Sequence, residues 1–203
     1  MGLLSPVHVK AKILIQIQKL WLDQCDWDQP VSPAICNQWS SIYQDLCSVR
    51  STLIKRLFFD VVDNDPIQLH VFCDASASAY GAAAYIKYKH HTSLVMARTR
   101  VKPLKESSLP RLELMATLRG ARLAKYVTAA LQSSPFQISE LVLWTDSQIT
   151  LHWITCEKKL PVFVSNRVRE IRNVTFNSHR YCPSAENPAD LLTRGISIAQ
   201  LQT

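Results

Sequence analysis

Leu69-His70-Val71-Phe72-Cys73-Asp74 and, much later in the chain, Leu141-Val142-Leu143-Trp144-Thr145-Asp146 are two short apolar runs that each end on an aspartate. Their length and their content of β-branched and aromatic residues read as strands. Residues 140–145 are apolar enough for burial on both faces, the pattern of a parallel strand inside a sheet. Two such strands lying side by side and parallel bring Asp74 and Asp146 out at the same sheet edge.

Working outward, residues 80–88 and 92–100 supply two further strands through short connections, an antiparallel meander with the first. Pro110 opens a helix reaching residue 132, with Leu112, Met115, Leu118 or Gly120, Leu123 and Val127 at helical spacing. A helix starts near Ser147, another spans 161–172, a last strand covers 174–181, and a short helix begins near Asn187-Pro188. The order βββ-α-β-α-α-β-α predicts an α/β fold, a mixed five-stranded sheet with helices on both faces.

Upstream, Val9, Ile13, Leu14, Ile17, Leu20 and Trp21 predict a helix over 5–24. Ile35, Trp39, Ile42, Tyr43, Leu46 and Leu53 predict a second from Ser32-Pro33 to Arg56. Two helices make a thin core, so this unit should lean on something else. The run Asp60-Val61-Val62-Asp63-Asn64-Asp65-Pro66 reads as a solvated linker. The expected division is a helical connector over 1–60, a linker over 61–67 and the sheet domain over 68–203.

Net charge is +7, but residues 1–65 carry −1 and residues 66–203 carry +8. A basic surface around an acidic pocket suits a polyanionic substrate handled through cations. No run is long and apolar enough to span a membrane, and the N-terminus lacks a signal-peptide core, so an intracellular protein without membrane partners is expected. The six cysteines form no CxxC pair and are expected to be mostly reduced core residues. His152 with Cys156 and His179 with Cys182 fit zinc-finger spacing only loosely, and with one pair on a helix and the other on a strand facing other partners no zinc site is expected.

Four carboxylates fall where this topology would gather them: Asp74 and Asp146 at strand ends, Glu113 in the first turn of the long helix, and Asp190 after the last strand. Taken singly, each has an ordinary reading. Asp146 could cap the following helix, Glu113 could favour the helix dipole, and Asp190 could pair with Arg194. Together they would repel one another unless cations hold them. Two Mg²⁺ ions roughly 4 Å apart would suit in-line attack of water on a phosphodiester.

Four segments carry a resemblance: Phe72-Cys73-Asp74-Ala75-Ser76, Leu109-Pro110-Arg111-Leu112-Glu113-Leu114, Trp144-Thr145-Asp146-Ser147-Gln148, and the run from Glu186 through Asn187, Pro188 and Asp190 to Gly195. Together they resemble a retroelement ribonuclease H domain, most closely that of BEL/Pao-type long-terminal-repeat retrotransposons. Residues 2–60 resemble the segment that follows reverse transcriptase in those polyproteins, on Gly2-Leu3-Leu4-Ser5-Pro6 and on Trp21 with Asp26-Trp27-Asp28. The resemblance implies a ribonuclease H-like fold and hydrolysis of the RNA strand of an RNA–DNA hybrid, leaving a 3′-hydroxyl and a 5′-phosphate. It implies two Mg²⁺ ions, with Mn²⁺ as a substitute. Asp74 would bridge both, Asp190 would hold the ion activating water, and Glu113 and Asp146 would hold the ion at the leaving oxygen. Ser76, Arg111, Ser147, Gln148 and Asn187 would contact substrate. The implied partners are the hybrid and the reverse transcriptase of the same or a related element.

The loop before Asp190, residues 182–186, lacks the histidine many relatives carry there; Glu186 is its acid. The chain also begins without a polymerase palm or a protease, so a fragment of a larger product or a decayed copy is expected. The competing reading is a ribonuclease H-like binding or connection module with weak or no chemistry. An integrase-type core is disfavoured by Glu113 on the first long helix.

Overall fold

The alternating burial along β1 (Ile67–Ala75) follows its alternating sequence: Ile67, Leu69, Val71 and Cys73 are buried, whereas Gln68, His70 and Phe72 are half-buried. The computed structural model describes residues 2–15, 26, 28–51, 58–59, 65–134, 136–174 and 178–201. Five strands form one mixed sheet in the order β3-β2-β1-β4-β5, with β2 Ala79–Tyr88, β3 His91–Val101, β4 Ile138–Thr145 and β5 His179–Tyr181. The first three strands pair antiparallel. β4 runs parallel to β1, in register from Gln68↔Glu140 to Cys73↔Thr145, and β5 runs parallel to β4.

Helix α3 (Leu109–Leu131) covers one face of this sheet with Pro110 in its first turn. It lies close because residue 120 has no side chain. A Cβ on Gly120 would sit 2.2 Å from Cys73 Sγ and 3.0 Å from Leu143 Cδ1. The helices α4 (Gln148–Thr155) and α5 (Val162–Val174) pack beside α3. Val164, Val168 and Ile171 of α5 join the main core, and Val174 continues that stripe. This apolar continuation keeps Val174 helical, where the sequence predicts the start of the last strand. Among the described residues that strand is only His179–Tyr181.

The opposite face is covered over β2 and β3 by α1 (Ser5–Ile13) and α6 (Leu191–Arg194). Val7 and Val9 of α1 are buried. Ser5 Oγ donates to the Ala97 carbonyl at 3.3 Å, and Ile196 N–H donates to the Pro6 carbonyl at 3.2 Å. α2 (Pro33–Cys47) is tied on through Asp45, whose carboxylate accepts from Ile198 N–H at the start of α7 (Ile198–Leu201), at 3.0 Å. The predicted second helix thus ends at Cys47, with a 3₁₀ turn over Ser48–Ser51. Its last stretch and the C-terminal half of the predicted first helix, Trp21 included, lie outside the described residues, as do linker positions 61–64. β1 already begins at Ile67, the last position of the expected linker, and that residue is fully buried.

Trp144 on β4 is half-buried because α1 and α6 lie over β2 and β3. Trp144 stacks on Phe72, with centroids 5.9 Å apart and planes 9° off parallel, and its Nε1 donates to His70 Nδ1 at 3.0 Å. Cys73 and Cys182 are buried as expected, whereas Cys36 and Cys47 are exposed on α2. No described helix is long and apolar enough to cross a membrane.

Replacing Gly120 by Ala would gain about 1 kcal/mol of helix propensity but force apart α3 and β1, an overpacking cost of about 1–3 kcal/mol. Gly120→Ala is expected to lower the urea midpoint, and Cys73→Ala added to it should restore part of the loss.

Candidate active site

The β1–β4 register decides the site. Cys73 and Thr145 are paired, so the residues after them, Asp74 and Asp146, stand at the same sheet edge. Asp74 is buried at 6% exposure and Asp146 is half-buried. The sequence leaves open whether Asp146 caps α4. The structure assigns the cap to Ser147, whose Oγ accepts from Thr150 N–H at 3.1 Å. Among the described residues, no hydrogen bond or ion pair engages the Asp146 carboxylate.

Glu113 lies just past the first turn of α3. Its Oε2 accepts a 2.6 Å hydrogen bond from Ser147 Oγ, so the residue capping α4 also draws Glu113 toward the β4 end. The fourth carboxylate comes from a segment with no strand pairing to β1. Asn187 anchors it: its buried side chain donates to the Cys73 carbonyl at 3.0 Å and accepts from Ala189 N–H at 3.1 Å. A 3₁₀ turn over Pro188–Asp190 then hands over to α6. Asp190 Oδ1 pairs with Arg194 Nε at 2.7 Å, the i,i+4 contact open from the sequence.

The charges meet at Asp74. Burial, the largest cause, pushes its carboxyl up to about 6, and the neighbouring charges of Asp146 and Asp190 push the same way. A hydrogen bond from Thr193 Oγ1, 2.5 Å from Asp74 Oδ2, opposes them. Thr193 has no place in the expected site. Its signal is its position three residues after Asp190, which puts both on one turn of a short helix.

The remaining expected contact residues divide by exposure. Gln148 and Arg111 are exposed, the latter with its guanidinium 5.1 Å from the Phe163 ring centroid. Ser147 and Asn187 are buried and engaged internally as described. Ser76 closes the β1–β2 turn, its Oγ accepting from Ala79 N–H at 3.1 Å. His179 is a poor proton carrier near neutral pH: burial, then Arg172, lower it to about 4.

The donor set fits hard divalent cations. All four groups are carboxylates, Asp146 has no donor among the described residues, and Asp74 carries an electrostatic penalty that a cation would remove. As the side chains stand, no group of three or more His, Cys, Asp or Glu among the described residues is gathered closely enough to hold a metal. Protein donors occupy three of the four: Thr193 holds Asp74, Arg194 holds Asp190 and Ser147 holds Glu113. The two His–Cys pairs form no such group either.

The chain matches the family described as Pao retrotransposon-like RNaseH-like domain over residues 1–147. It belongs to that family. The matched span of this Pao-type domain holds Asp74, Glu113 and Asp146, while Asp190 lies beyond it. No curated protein matches in sequence. Among solved structures it is similar to the N-terminal RNase H domain of Rv2228c from Mycobacterium tuberculosis, at 13% identity and TM-score 0.45, covering 63% of this chain and 91% of that one. It is also similar to LC11-RNase H1 in complex with an RNA/DNA hybrid, at 13% identity and TM-score 0.42 over 62% of this chain and 92% of that one. A foamy viral protease-reverse transcriptase bound to double-stranded DNA matches at 11% identity and TM-score 0.49, over 87% of this chain and 29% of its own length. Identities this low transfer no activity.

Asp74 predicts a pH dependence. Its folded pKa of about 6 lies above the ordinary 3.8, so between those values the folded state holds more protons than the unfolded one. Stability of the metal-free protein therefore falls as pH rises from 4 to 6, by on the order of 2 kcal/mol. Asp74→Asn should flatten that slope and melt higher than wild type at pH 7 without metal. Millimolar Mg²⁺ should raise the melting temperature of wild type and leave that of Asp74→Asn unmoved.

Proposed function

We propose that this domain is a divalent-metal-dependent endonuclease that hydrolyses the RNA strand of RNA–DNA hybrids within a retrotransposon polymerase product. What supports the reading is that Asp74 and Asp146 each follow a residue of the paired Cys73 and Thr145, that the charges of Asp146 and Asp190 both act on Asp74, and that Glu113 is bonded to Ser147 beside Asp146. Family membership supports it.

Asp74, Glu113, Asp146 and Asp190 would hold two Mg²⁺ ions, for which Mn²⁺ would substitute. When bound, they would supply Lewis acidity toward water and the scissile phosphate and neutralise charge at the leaving 3′-oxygen. The chain's own groups set the stage for this. Asp74 is fixed on β1, within reach of the charges of Asp146 and Asp190. Ser147 orients Glu113 while capping α4. Asn187 holds the Asp190 turn against β1. For Asp190 to hold a cation, Arg194, whose side chain is largely exposed, would have to release it. The 2′-hydroxyls of the RNA strand would distinguish it from DNA. The partner in an intracellular setting would be the reverse transcriptase of the same or a related element.

A second reading, a binding or connection module without chemistry, is favoured by the engagement of three carboxylates with Thr193, Arg194 and Ser147. A labelled RNA–DNA hybrid separates the two. On the nuclease reading, wild type cuts the RNA strand in Mg²⁺ or Mn²⁺, and Asp74→Asn binds the hybrid but does not cut. Ser147→Ala, which frees Glu113, should cut about tenfold more slowly. Absence of cleavage by wild type at every metal concentration would leave the module reading.

A further inference from the structure

Beyond the carboxylate edge, α3 carries Arg119 and Arg122, six and nine residues after Glu113. At about 1.5 Å per residue they stand roughly 9–14 Å along the helix from it. They face β3, where Arg98 and Arg100 project. Together with Tyr80 and Met115 these arginines line a cavity of about 170 Å³.

Four guanidiniums around one small cavity need an explanation. Arg122 has one, a bidentate pair with Glu170 at 2.6 and 2.9 Å. The others do not: among the described residues no carboxylate pairs with Arg98, Arg100 or Arg119. Arg98 lies over the Tyr126 ring and Arg119 over the Tyr80 ring, 5.1 and 5.7 Å from the centroids, which orients the cations without neutralising them. The Nε of Arg119 is buried and has no hydrogen-bond partner. Buried polar atoms are nearly always satisfied, so an orphaned guanidinium N–H in a cationic cavity points to a missing anion. Burial is the first cause lowering the Arg119 pKa; Tyr80 opposes it, and the neighbouring charges of Arg100 and Arg98 add smaller lowering effects.

We infer that Arg98, Arg100 and Arg119, with Arg122 at the rim, form a pocket for a single phosphate group, and that a backbone phosphate of a nucleic-acid strand fills it. Guanidinium forks match the oxyanion geometry of phosphate. The cavity admits a phosphate but falls short of the roughly 300–1,000 Å³ of pockets that enclose whole small molecules. The +8 charge of residues 66–203 makes a polyanion the natural bearer of that phosphate. The pocket would anchor a strand away from the carboxylates, and it does not depend on those carboxylates being catalytic.

Arg98 and Arg100 are exposed, so replacing them spares the core. The test uses the full chain, a fluorescein-labelled RNA–DNA hybrid and anisotropy titrations from 50 to 200 mM NaCl, without added metal. Arg98→Gln/Arg100→Gln, melting as wild type does, should weaken hybrid binding about tenfold and lower the slope of log K against log salt by about 1 or more. Inorganic phosphate should raise the melting temperature of wild type and not of this variant. Unchanged hybrid affinity and slope in the variant would overturn the inference. So would wild type failing to bind the hybrid at 50 mM NaCl. A phosphate response without an effect on hybrid binding also overturns it, giving the pocket to a small phosphate ligand. A chain that never cleaves yet loses hybrid affinity in the variant upholds the pocket while the nuclease reading falls.

Discussion

Cys73 and Thr145 are partners across two parallel strands, and an aspartate follows each. That pairing brings two carboxylates to one edge, and the backbone hydrogen bonds of β1 and β4 oppose their repulsion. The third carboxylate arrives through one side chain: Asn187 bonds the Cys73 carbonyl, the group immediately before Asp74. One short stretch of backbone therefore carries the strand pairing, the anchor of the C-terminal turn and the most buried acid of the site.

The like charges gathered there are tempered by protein donors. Thr193, Arg194 and Ser147 each occupy a carboxylate, which lowers the cost of the assembly when no cation is present. Arg194 is largely exposed while Asp190 is half-buried, and a pair open to solvent on one side contributes little. The site is thus held together loosely at Asp190 and firmly at Asp74. Stability given up at such an edge is a common accompaniment of function.

The two sheet faces are covered by different means. α3 approaches β1 closely because Gly120 leaves room for Cys73, and its far turns bring Arg119 and Arg122 against β3. The other face is covered over β2 and β3 by α1 and α6, chain segments from opposite ends joined at Pro6 and Ile196. The N-terminal segment is in this respect part of the sheet domain's packing, which answers the thin core expected of two isolated helices.

Strand and helix identities were legible because alternation in β1 and helical spacing in α3 reflect which side of each element meets the core. So was the convergence of Asp74 with Asp146, since parallel pairing of two strands that each end on an aspartate permits no other edge. Asp190 was legible from its place after the last strand and from the resemblance of its motif, but the Asn187 anchor that carries it to β1 was not. Ser147 taking the α4 cap and bonding Glu113, Thr193 bonding Asp74, and the meeting of Arg98 and Arg100 with Arg119 were decided by tertiary structure. Each joins residues far apart in the chain, or chooses between neighbours with equal local propensity. Local pattern records which face is apolar; it carries no record of which distant polar group will lie opposite.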